Sequence, residues 1–148
     1  LYAAASDPAI WAQHPDSNRH QRTTFRDNYF AGALSSGGAL TVRDNRSGRI
    51  IGASRYYDWN PAELELAIGY TFLTRDQWGT GTNDELKALM LNHAFTFTRA
   101  VWFHIGASNI RSQRAVEKLG AVLSHREEAR LNGRSFTKLF YRLEADSR

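Results

Sequence analysis

The chain has no cysteine among its 148 residues. That excludes disulfides, thiol nucleophiles and cysteine-based metal sites, and it suits a reducing compartment. No apolar run approaches the roughly 18 residues of a membrane-spanning helix. Leu1-Tyr2-Ala3-Ala4-Ala5 lacks the basic start and long apolar core of a secretory signal. No block of five or six like charges occurs. His14, His20, His93, His104 and His125 are scattered without metal-ligand spacing, so no metal is assigned. These absences lead us to expect a cytoplasmic protein with no membrane partner. The length suits one domain over residues 1–148; no internal repeat or low-complexity tract divides it.

What is present is ordinary for a globular chain: 42% apolar and 23% charged residues. The net charge of +4 favours anionic partners. Because the basic residues are dispersed and no recognised binding motif accompanies them, nucleic acid is not expected as a partner.

The most informative stretch is Gln77-Trp78-Gly79-Thr80-Gly81-Thr82-Asn83-Asp84-Glu85-Leu86. A strand-like run over residues 64–73 precedes it and an amphipathic helix follows. Strand, glycine turn and helix N-terminus together make a general device for holding phosphate. Glycines permit positive φ and close approach, and the first helical amides are unpaired. No Gly-Lys-Ser/Thr follows, so the turn is not a P-loop.

Around it the order reads helix, hairpin, strand, helix, strand, helix, hairpin. Ser17 is placed to cap a first helix reaching about Leu34, with Phe25, Tyr29 and Phe30 as anchors. Strands over 39–43 and 49–57 meet at Asn45-Arg46-Ser47-Gly48. Leu64, Leu66, Ile68, Tyr70 and Phe72 alternate on one face of the next strand, and Gly69 hints at a bulge. Thr82 and Glu85 fit a capping box for the next helix. Its apolar stripe reads Leu86, Leu89, Met90, Ala94 and Phe97. A strand over 101–106, a helix opened by Ser108 or Asn109, and two strands joined at Asn132-Gly133 complete the chain. This implies an α/β (α+β) fold with a mixed sheet.

These residues in this order resemble the GNAT family of acetyl-CoA-dependent N-acetyltransferases, and its RimJ/RimL-like branch in particular. The matching text is Ile68-Gly69-Tyr70-Thr71-Phe72-Leu73, Trp78-Gly79-Thr80-Gly81 with Asn83, Glu85 and Lys87, Asn109-Ile110-Arg111-Ser112, and Ala115-Val116-Glu117-Lys118-Leu119-Gly120-Ala121. The resemblance spans about residues 38–143. It implies a mostly antiparallel sheet in which two parallel central strands splay apart. It implies that the family's first strand precedes Leu1. It also implies acetyl-CoA as co-substrate, a primary amine (a protein N-terminus or a small molecule) as acceptor, and a homodimer as a compatible assembly.

By the same resemblance, the turn from Trp78 through Gly79, Thr80, Gly81 and Thr82 to Asn83 cradles the CoA pyrophosphate. The strand at Ile68, Tyr70 and Phe72 pairs with the pantetheine arm, and Asn109 and Ser112 contact the cofactor. Ser112 matches a serine that protonates the departing thiolate. The chain departs from the pattern at three places. Asp76 stands where glutamine or arginine usually opens the signature, Val116 where many relatives carry an acidic tyrosine, and Ala67 where close relatives carry a glutamate. Glu65 is the nearest replacement base. A CoA-binding module without catalysis is the alternative that these substitutions raise.

Overall fold

The structure, a computed structural model, describes residues 1–147. Its N-terminal part is a set of short helices: α1 (Tyr2–Ala5), α2 (Pro8–Trp11), α3 (Arg22–Phe25), a π-helical turn (Arg26–Phe30) and α4 (Ala31–Ser36). Then come β1 (Ala39–Arg43), β2 (Ile50–Asn60), β3 (Glu65–Leu73), α5 (Thr82–Ala94), β4 (Ala100–Gly106), α6 (Ile110–Lys118), β5 (Val122–Leu131) and β6 (Arg134–Glu144). The strands form one sheet in the order β1-β2-β3-β4-β6-β5. Its pairs are antiparallel except β3 with β4. The expected mixed, mostly antiparallel fold with a parallel central pair is therefore what the chain adopts.

Two cores lie on opposite faces of this sheet. Leu66 and Ile68 of β3 and Val101, Phe103 and Ile105 of β4 pack against Met90, Leu91 and Val116 of α5 and α6. On the other face Phe72 and Ala53 meet Ala5, Ile10, Trp11, Phe25 and Tyr29 of the N-terminal helices. A bulge makes this division. Ala53 pairs with Phe72, but Arg55 pairs with Gly69, so Tyr70 and Thr71 together oppose Ser54. The extra residue reverses the strand's alternation. The uninterrupted stripe expected from Leu64 to Phe72 is thus split, and Phe72 faces the N-terminal helices. Tyr70 takes φ 53 at the bulge.

Three local expectations are corrected. The first long helix begins at Arg22, behind Gln21, and a π-helical turn interrupts it. Ser17 caps nothing: it sits exposed in a turn whose ends, Asp16 and Arg19, are tied together in a buried ion pair. The N-cap of α5 is Gly81, and the Thr82 hydroxyl turns back to Gln77 Oε1 at 2.8 Å, so no capping box forms. The buried face of α5 is Lys87, Met90, Leu91 and Ala94. Leu89 is 64% exposed, and Phe97 lies beyond the helix. The two-residue turn at Asn132-Gly133 has φ of 51 and 77, the positive pair that a twisted hairpin favours.

Candidate functional site

β3 and β4 pair at only three positions, Glu65 with Ala100, Leu66 with Val101 and Ala67 with Trp102. Beyond Ala67 they diverge, while β4 stays paired with β6 as far as Gly106 with Lys138. A parallel pair that opens in mid-sheet leaves backbone groups of both strands free for another partner. A cavity of 480 Å³ fills the opening, and it runs from the glycine turn to the N-terminal helices.

At the glycine-turn end the cavity is framed by backbone. Gly79 and Gly81 have φ of 71 and 87, and a Cβ on either would meet nothing within 4 Å. The glycines serve conformation here, not packing. The turn is braced from behind: Thr80 Oγ1 donates to the Gln77 carbonyl at 2.7 Å, and Trp78 Nε1 donates to the Leu73 carbonyl at 3.1 Å. The Arg111 guanidinium stacks 3.9 Å from the Trp78 ring and donates to the Ile10 carbonyl at 3.1 Å. Asn109 caps α6 by accepting from the Ser112 amide at 3.3 Å. Arg111, Arg114 and Lys118 bring positive charge to this end.

At the opposite end the walls are side chains. The Tyr29 hydroxyl donates to the Tyr70 carbonyl and fixes the bulge. Burial pushes the Tyr29 phenol well above its ordinary pKa. Lys87, 5% exposed, reaches from α5 to donate to Thr71 Oγ1 at 2.7 Å. Burial lowers its pKa to about 7. Arg55 lies 3.8 Å from the Tyr70 ring centre and donates to the Tyr29 carbonyl. His14 lines the cavity and accepts the Asp16 amide on Nδ1 at 2.9 Å, which places its proton on Nε2. Burial and the nearby Arg19 charge lower its pKa to about 4, so it is neutral at pH 7. His104 borders both this cavity and a smaller hollow of 210 Å³ beside Trp102, His125 and Phe140.

A sequence-family profile described as "Acetyltransferase (GNAT) domain" matches residues 1–122. The chain belongs to the GNAT acetyltransferase family. No curated protein sequence matches it. Among solved structures, a GCN5-related N-acetyltransferase from Brucella melitensis superposes with a TM-score of 0.82 at 19% identity, over 97% of this chain and 69% of that one. A GNAT-family acetyltransferase from Bacillus anthracis gives 0.78 at 14% identity, over 98% and 89%. A chimera of the Vibrio cholerae spermidine N-acetyltransferase SpeG and hSSAT gives 0.69 at 15% identity, over 93% and 88%. These likenesses are of fold.

Within this GNAT chain the cavity brings together Ile68, Tyr70, Phe72, Trp78, Gly79, Gly81, Asn83, Asn109 and Ser112 of the expected cofactor set. Thr80 and Thr82 do not line it, since their hydroxyls brace the turn from behind. Glu65 lies where the strands are still paired and is not brought to the cavity. Its Oε1 accepts from Arg142 at 2.9 Å and its Oε2 from Trp102 at 2.7 Å. Burial works to raise its pKa, but the bonds from Trp102 and Arg142 outweigh this and hold it below the usual value. Such a carboxylate holds β4 and β6 in register; it is poorly suited to take a proton. The sequence reading missed Arg19 and Arg55, weighed His14 only as a metal ligand, and gave Lys87 no role. Lys87 alone left a signal, because it stands at the helical spacing of Met90, Leu91 and Ala94.

Among the described residues no cluster of three metal-ligating side chains occurs. No helix among them is long and apolar enough to cross a membrane.

Proposed function

We propose that the chain transfers an acetyl group from acetyl-CoA to a primary amine by direct attack in a ternary complex, as a RimJ/RimL-like member of its family. The observation that carries this is the single cavity joining the free amides of α5 to the opening between β3 and β4. Its chemistry fits the donor. From Gly79 onward the turn at 78–83 offers unpaired amides at the positive end of a 13-residue helix, with cations nearby, and this would hold a pyrophosphate. The exposed backbone around Ile68, Tyr70 and Phe72 would pair with an amide-bearing arm. Asn109 and Ser112 border the same space.

Acetyl-CoA supplies an activated thioester carbonyl when bound. The chain's own contribution is chiefly positioning, which can supply roughly 7–11 kcal/mol. A general base adds about 10²–10⁴ in rate, so loss of the usual glutamate does not abolish transfer. The bulge, fixed by Tyr29, Thr71 and Lys87, sets where the strand's backbone faces the opening. Ser112 is half-buried at the cavity wall, and its hydroxyl would give a proton to the departing sulfur. Glu65 orients Trp102 and Arg142 and takes no proton.

The test is thiol release from acetyl-CoA with a panel of peptides and small amines, beside calorimetry with CoA. Turnover of any amine supports transfer; neither binding nor turnover sinks it. The CoA-binding module is favoured by one observation: Asp84, at the turn end, is the one carboxylate lining the cavity among the described residues. Tight binding without turnover selects that reading.

A further inference from the structure

We infer that the amine acceptor carries a carboxylate, which the guanidinium of Arg19 receives at the inner end of the cavity. This rests on the acetyltransferase reading above and names the class of its acceptor.

Arg19 is 7% exposed and lines the cavity. It is held from behind: its Nε donates to Asp16 Oδ2 at 3.1 Å. Asp16 is itself 1% exposed, and the same oxygen accepts from Asn28 Nδ2 at 3.0 Å. The rings of Trp11, Tyr29 and Tyr70 surround the guanidinium carbon at 5.7, 5.7 and 5.9 Å. These contacts fix the plane of the group. Yet among the described residues neither terminal amino group of Arg19 donates a hydrogen bond. The terminal nitrogens are not sealed in the interior; they open onto the cavity, where a ligand can meet them. A rigid fork of parallel N–H groups, its Nε already engaged, is shaped for the two oxygens of a carboxylate.

The charge around the site points the same way. Arg19 and Lys87 line the inner end, and Arg55 is buried behind Tyr70. Asp16 balances Arg19 alone. Asp84, the one carboxylate on the cavity wall among the described residues, is at the glycine-turn end and pairs there with Lys118 at 3.1 Å. A polyamine would bring positive charge to a wall that offers it no acid. An amine bearing a carboxylate would complete the fork and balance the excess. The phosphates of a nucleotide donor do not need Arg19, because the α5 amides and Arg111, Arg114 and Lys118 serve the other end.

The experiment measures thiol release from acetyl-CoA with matched acceptors: glycine, alanine, glutamate and diglycine, each beside its carboxamide, together with spermidine. The carboxylate member is expected to show kcat/KM at least tenfold above its amide. Arg19→Lys and Arg19→Gln should narrow that gap to under threefold, with the Kd for CoA unchanged by calorimetry. Amides or spermidine turned over as well as the carboxylates overturn the inference and leave the transferase standing. So does CoA binding without transfer to any member of the panel, which leaves only the cofactor site. An Arg19→Lys variant that weakens CoA while treating acid and amide alike assigns Arg19 to the donor, which also overturns the inference. Absence of both CoA binding and transfer sinks the acetyltransferase reading itself. If the Arg19 variants do not fold, the matched pairs on the unaltered chain decide.

Discussion

The two ends of the cavity are built from different materials. At the glycine turn the walls are exposed backbone: two glycines at positive φ, the free amides of α5, and threonine hydroxyls that brace the loop from behind. At the bulge the walls include the buried side chains of Arg19 and Lys87, backed by Tyr29 and Arg55. Backbone recognition is tolerant, because any phosphate-bearing arm can meet a row of amides. Side-chain recognition is selective, because each buried charge must be satisfied by a particular partner. The contrast suits an enzyme with a fixed donor and an acceptor of its own. It also separates what each end does to stability: changes at the turn should alter binding, and changes at the bulge should alter folding.

The largest effect is expected at Lys87. Its pKa is about 7 in the folded chain, against an ordinary 10.5. The folded value is the lower one, so folding disfavours the charged form. The cost is fully present below about pH 7 and fades as pH rises towards 10.5. At pH 7 it amounts to roughly 4 kcal/mol, and the bond to Thr71 returns about 1 kcal/mol. Lys87→Met, similar in length and apolar, should therefore stabilise the chain by about 3 kcal/mol at pH 7. That corresponds to roughly 6–12 °C in Tm. The unaltered chain should also gain stability between pH 7 and 10, and the variant should lose that slope. Thermal melts across this range test both. Equal Tm values and equal slopes would show that Lys87 reaches solvent and that the inner end is not a dry, charge-burdened wall.

Tyr29 comes next. Tyr29→Phe removes the hydroxyl that satisfies the Tyr70 carbonyl at the bulge. Leaving this part-buried acceptor unpaired costs about 1–3 kcal/mol. Denaturant unfolding should show a loss near 2 kcal/mol with m unchanged. If stability is unaffected, the bulge is held by Arg55, Thr71 and Lys87 without the hydroxyl.

How much of this was readable from residue order divides along the same line. The glycine turn, α5, α6 and the Asn132-Gly133 hairpin are local in sequence. The φ requirements of the turns and the Asn109 cap of α6 are written in consecutive residues, although the capping box expected at Thr82 and Glu85 does not form. The parallel pair and its splay followed from the resemblance that those motifs carry. The inner end is not local. Arg19 stands in a polar stretch, His-Pro-Asp-Ser-Asn-Arg, that reads as a solvated loop. Only the fold carries it against Trp11, Tyr29 and Tyr70, up to 51 residues away. The phase reversal at Tyr70 was signalled by Gly69 only as a bulge, and nothing in the alternation says which face Phe72 then takes. On α5, hydrophobicity alone favoured Leu89 over Lys87, because a buried lysine violates the pattern that defines a core face. Glu65 was picked out by its distance in sequence from the expected glutamate; its partner Arg142 is 77 residues away and invisible to that reasoning.

At the turn, Gly81→Ala is expected to weaken CoA binding about tenfold while the fold persists. The left-handed conformation at φ 87 costs a residue with a Cβ roughly 1–2 kcal/mol. No neighbour lies within 4 Å to clash, so the loop relaxes and turns its amides away. Calorimetry with CoA beside a thermal melt separates the two effects. A lowered Tm with unchanged affinity would show that the turn does not hold the donor.

The smallest effect tests the contrast most sharply, because it concerns a charge at the turn end. Lys118 and Asp84 form an ion pair at 3.1 Å with side chains 73% and 58% exposed. Exposed pairs contribute about 0–1 kcal/mol, so Lys118→Ala should leave Tm within about 2 °C of the unaltered chain. Its effect on the donor should be separable by salt. If Lys118 faces a phosphate, the variant binds CoA a few-fold more weakly in 20 mM salt, and the difference shrinks in 500 mM salt as screening shortens the reach of the charge. Arg111, stacked on Trp78 and tied to Ile10, would lose packing as well as charge and so could not isolate the electrostatic part. A deficit that persists at high salt would mean that Lys118 acts through its contact with Asp84 in the first turn of α5, and that side-chain order, not backbone alone, also sets this end of the cavity.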